Sequence, residues 1–247
     1  MTTSKLPCPS PDCNSSDAFS IDENGWGHCF SCGHNVHPDK LNCEILTTEP
    51  LTKEPKRDVS LTPLADVIRP FAERGFSEDT IKRYKVHVSK DGEEFLAKYP
   101  LFDPTTGEHC ANKVRYKDKG FSVEGSLKEA GLFGRHAFPP GSSKFITVVE
   151  GQDDALAVFQ MFGGKYPCVS VNSASSAEKD VRHDFEYLNS FENIVFAFDS
   201  DDPGRKAAKA AAGAGFPLGK VKVLNLRKYK DANDYLLNKG TEDFVRE

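Results

Sequence analysis

No stretch of this 247-residue sequence approaches the roughly 20 consecutive apolar residues that a membrane helix requires. The opening MTTSKLPCPS also lacks the apolar stretch of a secretory signal. These absences predict a cytosolic protein with no membrane partner. An excess of positive charge is missing too: 32 Lys and Arg stand against 37 Asp and Glu, a formal net charge of −5. That argues against a coat holding nucleic acid by charge alone, although local basic patches remain open. The 247 residues contain no G-x4-G-K-[ST] phosphate loop, since the GSSK at 141–144 does not fit. There is no internal repeat either.

What the chain does have is seven cysteines, four of them close to the N-terminus as Cys8-x4-Cys13-x15-Cys29-x2-Cys32. In a reducing compartment such thiols read as metal ligands or buried side chains, and not as disulfides. Two short knuckles separated by a hairpin supply four soft ligands in a tetrahedron, the arrangement Zn²⁺ takes in closed structural sites. One structural zinc ion is therefore expected, held by Cys8, Cys13, Cys29 and Cys32. The intervening DAFSIDENGWGH predicts a hairpin turning at Asn24-Gly25. His34 and His37 are alternative ligands, but Cys32-Gly33 completes the second knuckle better. Cys43, Cys110 and Cys168 read as bystanders. Trp26, His28 and Phe30 alternate before and within the second knuckle. They could stack on and bond unpaired bases, or Trp26 and Phe30 could form a miniature core. For His28, base contact is the favoured role.

Composition divides the chain into a loop-rich module at 1–46, a Pro-containing linker at 47–60 (TTEPLTKEPKRDVS) and a globular remainder. Within the remainder, LTPLADVIRPFAERG and SEDTIKRY read as short helices, the second capped by Ser77. A strand-rich stretch follows through Arg115, with a turn at DPTTG. Beyond Lys144, strands (FITVVE, CVSV, NIVFAFD, KVKVLNL) alternate with helices (DDALAVFQMFG, EKDVRHDFEYLNSF, PGRKAAKAAAGAG). That alternation predicts an α/β unit with a mainly parallel sheet, preceded by an α+β subdomain and the small zinc ribbon. The implied boundaries are 61–143 and 144–247.

In such sheets ligands bind beyond the carboxyl ends of the strands, and that is where the acids fall. Glu150 ends one apolar strand and Gly151 permits close approach. Asp154 returns toward the same rim from the first helical turn. Asp199 and Asp201 leave the next strand, and Asp231 follows the last. Asp153, Asp180 and Asp202 read instead as caps or solvated first-turn charges. Carboxylates brought to one point repel unless divalent cations neutralise them, and Mg²⁺ is the hard ion suited to bridging carboxylates and phosphates. Between Lys113 and Arg135, six basic residues stand against three acids, an expected basic wall facing the acids.

EGQDDAL followed by FDSDDPGRKAA resembles the TOPRIM signature, a Glu-Gly turn and an Asp-x-Asp pair. With the four-cysteine ribbon in front and KDANDYLL behind, the whole chain resembles the primase half of the primase–helicase proteins of short-tailed bacteriophages, relatives of the mitochondrial helicase Twinkle. The first knuckle departs from that pattern, with four intervening residues where the nearest relatives often have two. The absent phosphate loop means these residues carry no helicase engine.

The resemblance implies a DNA primase that joins ribonucleoside triphosphates on single-stranded DNA, in the host-cell cytoplasm if phage-encoded. Its partners would be a replicative helicase, as a domain or separate chain, and a DNA polymerase. Catalytic Mg²⁺ would be held by Asp199 and Asp201, with Glu150, Asp154 or Asp231 assisting, and Glu150 is the candidate general base. Lys113, Arg115, Lys128 and Arg135 would contact nucleotide and template, while Trp26 and His28 would read template bases. The competing reading is a non-catalytic zinc/TOPRIM clamp of the recombination-mediator type, although such clamps place a helix-hairpin-helix segment before the zinc site. A topoisomerase or nuclease fragment would need further domains for which no residues remain.

Overall fold

The computed structural model describes residues 3–10, 13, 15, 18–38, 60–64, 68–90, 95–118 and 120–246. It divides into two compact units, 1–58 and 59–247. Cys43 and residues 47–59 of the expected linker lie outside the described residues.

The first unit is an antiparallel meander of β1 (Thr3–Leu6), β2 (Phe19–Ile21), β3 (Gly27–Cys29) and β4 (Asn35–Val36). The predicted turn between β2 and β3 is present. Asp22 Oδ1 accepts the backbone N–H of Asn24 and of Trp26, both at 2.9 Å, and Gly25 takes a φ of 81° that other residues rarely adopt. Gly27 is required by packing: a Cβ there would lie 2.2 Å from the Phe19 ring. The unit's core among described residues is only Leu6, Phe19, Ile21, Cys29 and Val36. That is too little apolar surface to hold such a unit together unaided.

The second unit begins with a correction. The helix expected over Leu61–Gly75 is, in its described part, a single 3-10 turn at Ala72–Arg74, closed by Gly75 at φ 76°. Pro70 removes a backbone donor and bars its predecessor from helical geometry, which explains the break. Helix α1 (Glu78–Tyr84) forms as expected, with the Ser77 side chain accepting the Thr80 N–H. An antiparallel sheet follows, in the order β5 (His87–Val88), β6 (Ala97–Phe102), β7 (His109–Arg115), β8 (Phe121–Gly125). The β6–β7 turn falls on the expected DPTTG, with Asp103 Oδ1 accepting from Thr105 and Thr106.

The α/β portion holds β9 (Phe145–Val149), α2 (Gln152–Met161), β10 (Cys168–Ser170), α3 (Ala177–His183), α4 (Phe185–Asn189), β11 (Asn193–Ala197), α5 (Asp202–Ala212), β12 (Val221–Val223), α6 (Ala232–Leu237) and α7 (Thr241–Arg246). Its strands pair in parallel in the order β10-β9-β11-β12. Two expectations are revised. The helix predicted over 178–191 breaks at Asp184, whose buried carboxylate accepts the Leu132 N–H at 2.5 Å and an Arg135 N–H. The last strand shortens to Val221–Val223, with Lys222 and Val223 exposed at the sheet edge.

Chain from before residue 144 is stitched into the α/β core. Phe133 and Ser170 exchange backbone hydrogen bonds of 3.0 and 3.1 Å. Tyr84, fully buried among Phe133, Phe138 and Phe159, donates its hydroxyl to the Cys168 carbonyl at 2.8 Å. Burying each such ring contributes about 2–3 kcal/mol. Among the described residues no helix is long and apolar enough to cross a membrane.

Candidate active site and metal centre

Strands β9 and β11 run side by side with Val149 opposite Ala197, so their continuations leave the sheet at the same end. Glu150 follows the first and Asp199 the second. The sequence requirement that these two carboxyl groups share one rim is met, since both line a cleft of about 520 Å³. Asp154 and Asp231 line it too. A side chain at Gly151 would put Cβ 2.6 Å from Asp154 Oδ2, so glycine is what allows that carboxylate to fold back against the turn. At Gly204 a Cβ would lie 2.4 Å from the Asp199 carbonyl oxygen, which fixes how tightly α5 leaves the acidic strand.

The acids strain against one another. Burial pushes the Glu150 carboxyl up to about 7, with Asp199 and Asp201 adding to the shift, and its Oε2 is buried without a hydrogen-bond partner. Burial likewise raises Asp199, against the opposing pull of Lys230. Asp154 stands well above the usual carboxylate range, through burial first and then Asp231 and Asp199, while its Oδ1 accepts the Asn233 N–H at 3.0 Å. Burial also raises Asp231, which caps α6 by accepting the Asp234 N–H at 2.8 Å. Asp201 accepts the Gly204 N–H at 2.9 Å to cap α5.

One cation already answers this charge. Lys230 Nζ lies 3.0 Å from Asp199 Oδ2 and 3.5 Å from Asp201 Oδ2, and the two carboxylates hold it protonated. An unsatisfied buried oxygen, mutually repelled carboxylates and an all-oxygen donor set fit a hard divalent cation.

Part of the cleft wall is basic. Lys113 Nζ donates to the Asn172 carbonyl at 2.7 Å, and Arg115 Nη1 to Asp153 Oδ2 at 3.0 Å; both cations lie over the Phe121 ring, at 4.9 and 5.3 Å. Burial lowers the Lys113 ammonium below its ordinary value. The other two predicted cations are not part of this wall. Arg135 pairs with Asp184, lies over Tyr187 and lines a separate cavity with Phe102 and His136. Lys128 is exposed in the bend that follows β8, its backbone N–H donating to Ser126 Oγ. Sequence reasoning missed Arg74, Asp153, Tyr99 and Lys230, which all line the cleft. Asp153, expected to be a solvated first-turn charge, is only 6% exposed. Lys230 was visible beside Asp231, but its neutralising role depends on Asp199 approaching from another strand.

In the first unit the ligand atoms of Cys8, Cys13, Cys29 and Cys32 all lie within 4.8 Å of one another. Two of the edges, Cys8–Cys32 and Cys13–Cys29, measure 3.7 and 3.9 Å between Sγ atoms. Four sulfurs about 2.3 Å from a tetrahedral Zn²⁺ would be separated by about 3.8 Å, so the four-residue first knuckle is compatible with the metal. Among the described residues the quartet is complete without His34 or His37. Trp26 and Phe30 are not in the core: they are 47% and 75% exposed. His28 packs edge-on against Phe30, and its Nδ1 is 2.7 Å from Asn35 Oδ1.

A parallel sheet carrying a Glu-Gly turn and an Asp-x-Asp pair at one rim defines a TOPRIM-class fold. The family model described as "Toprim-like" matches residues 147–236. A DNA helicase/primase of Enterobacteria phage T3 is 35% identical over 237 residues, covering 92% of this chain and 40% of that protein. The crystal structure of the primase fragment of the bacteriophage T7 primase-helicase is similar over 100% of this chain and 99% of the fragment, with 30% identity and a TM-score of 0.68. The primase domains of T7 gp4, solved with the lagging-strand DNA polymerase, an RNA/DNA hybrid and dTTP, match at 35% identity and a TM-score of 0.65, over 73% of this chain and 90% of that one. This chain belongs to the family formed by the primase portions of the phage primase–helicases. It spans 40% of the length of the curated T3 relative.

Proposed function

We propose that this chain synthesises short RNA primers on single-stranded DNA, joining two ribonucleoside triphosphates by attack of a 3′-hydroxyl on an α-phosphate with release of pyrophosphate. The observation that supports this most is that Glu150 and Asp199 line one cleft with Lys113 and Arg115, while Lys230 ties Asp201 to Asp199. Asp199 and Asp201, with Glu150, Asp154 and Asp231 around them, would hold Mg²⁺, which when bound offsets charge developing on the phosphates. Glu150, with its affinity for a proton raised to near neutrality, would accept the proton of the attacking hydroxyl. Lys113 and Arg115 bind and orient phosphate oxygens. Lys230 occupies the carboxylates before they are filled and limits their repulsion.

In the same reading, residues 1–46 bind one structural zinc ion and recognise template bases through Trp26 and His28. Residues 47–60 link them to a polymerase portion whose subdomains are 61–143 and 144–247. The helicase and DNA polymerase partners named for the T3 and T7 relatives, and a host-cell cytoplasmic setting, extend to this chain on the same basis. The test is incubation with labelled ribonucleotides, Mg²⁺ and single-stranded DNA. Short oligoribonucleotides are expected, and Glu150→Gln should lower their yield about a thousandfold or more. DNA binding without synthesis by the unaltered protein would instead mark a clamp.

A further inference from the structure

Among the acids lining the cleft, Asp153 is paired with two arginines. Its Oδ2 accepts the Arg74 Nε–H at 2.8 Å and an Arg115 N–H at 3.0 Å, and its Oδ1 accepts the Tyr99 hydroxyl. The three donors come from three places in the chain: the 3-10 turn before α1, strand β7 and strand β6. The carboxylate is 7% exposed, and its two arginine partners are 26% and 19% exposed, both opening on the cleft. A buried carboxylate with two guanidinium groups leaves one positive charge in excess, to which Lys113 adds another. Donors remain uncommitted: Arg74 uses only Nε on Asp153, and Arg115 uses only Nη1, its Nε being buried away from the cleft. The backbone under Arg74 is also fixed, because Asn233 donates to its carbonyl at 3.1 Å.

An isolated pair of arginines this close would repel and sample many rotamers. With a shared counter-charge they keep one orientation, so binding a polyanion costs less side-chain entropy. We propose that Asp153 is a positioning residue that holds Arg74 and Arg115 as a fixed pair of forks for the phosphates of the incoming ribonucleoside triphosphate. This rests on the primase reading and adds a specificity determinant to it. Asp153 would touch neither substrate nor metal, and it would act through its two arginines.

Four proteins test it: unaltered, Asp153→Asn, Arg74→Gln/Arg115→Gln, and the triple variant. KM and kcat for ATP are measured in primer synthesis, with single-stranded DNA affinity and thermal unfolding measured in parallel. Asp153→Asn should raise KM about tenfold or more, leave kcat within about threefold, and leave DNA affinity unchanged. Once the arginines are gone, adding Asp153→Asn should move KM no further. Should Asp153→Asn fail to fold, Tyr99→Phe, which keeps the charge but removes one restraint on it, should raise KM about twofold to fivefold in the same KM-selective way. A KM unmoved in a folded Asp153→Asn protein, an effect confined to thermal stability, or a further KM rise in the triple variant would each overturn the proposal. An unaltered protein that makes no oligoribonucleotide would instead sink the primase reading itself.

Discussion

Residues 1–58 and 59–247 each gather a set of like side chains, four thiols within 4.8 Å of one another in one and carboxylates lining a single cleft in the other, but they surround them with different amounts of fold. Among the described residues of the first unit five buried side chains form the core, and one of them, Cys29, is itself a candidate ligand. In the second, a parallel sheet, an antiparallel sheet and buried rings such as Tyr84, Phe133 and Phe191 hold the backbone in place whether or not a cation is present. The lesson concerns what the ion does. Where the core is minimal, metal binding and folding are one equilibrium. Where the core is large, the fold can impose repulsion on its own acids and keep them ready for a cation.

The strongest way to break this contrast is to deny the cysteine quartet the zinc proposed for it. A zinc-selective chelator should collapse amide dispersion for residues 18–38 while leaving residues 95–246 native, because a structural zinc supplies about 10–16 kcal/mol of apparent free energy in such modules. A metal-stripped first unit that stayed dispersed in NMR spectra would place its stability in the side chains after all.

A smaller effect probes the second unit's core. His136 packs at 4.2 Å on Phe102 with Nε2 buried and unpartnered, and burial, with Lys85 and Arg83 nearby, pushes its pKa from 6.5 to about 4. The fold therefore holds the neutral ring. That contribution is complete above the unfolded value of 6.5 and is lost as pH falls toward 4, by about 2 kcal/mol at pH 5. Urea unfolding at pH 7.5 and pH 5 should show this loss, and His136→Phe should be flatter by that amount. Equal losses in the two proteins would rule it out.

The smallest effect sharpens the point about imposed repulsion. At pH 8 in magnesium-free buffer, Glu150→Gln should unfold with about 1–2 kcal/mol more stability than the unaltered protein, because it removes a half-buried charge opposed by Asp199 and Asp201. Added Mg²⁺ should close that gap by stabilising the unaltered protein alone. A destabilised Gln variant under magnesium-free conditions would mean the rim is not under electrostatic strain.

Much of this was legible in the residues. The Cys-x4-Cys and Cys-x2-Cys knuckles, the Asn24-Gly25 turn and the Ser77 cap depend on neighbours within a few positions, and they form where local chemistry requires. Alternating apolar strands and helices announced the parallel sheet, and its carboxyl rim gathered Glu150 and Asp199 as that topology demands. The breaks were harder to see, because Asp184 interrupts a helix for the sake of Leu132 and Arg135, some fifty residues away.

By itself, then, the sequence determined which residue types could bind a metal and on which side of the sheet the acids would collect, since side-chain chemistry and strand direction are local properties. Only the tertiary structure decided which cations faced them. Lys113 and Arg115 reached the cleft, Arg135 was diverted to Asp184, and Arg74, Tyr99 and Asp153 were drawn together from distant segments. Long flexible side chains take their partners from whatever three-dimensional packing brings within about 3 Å, and spacing along the chain does not encode that.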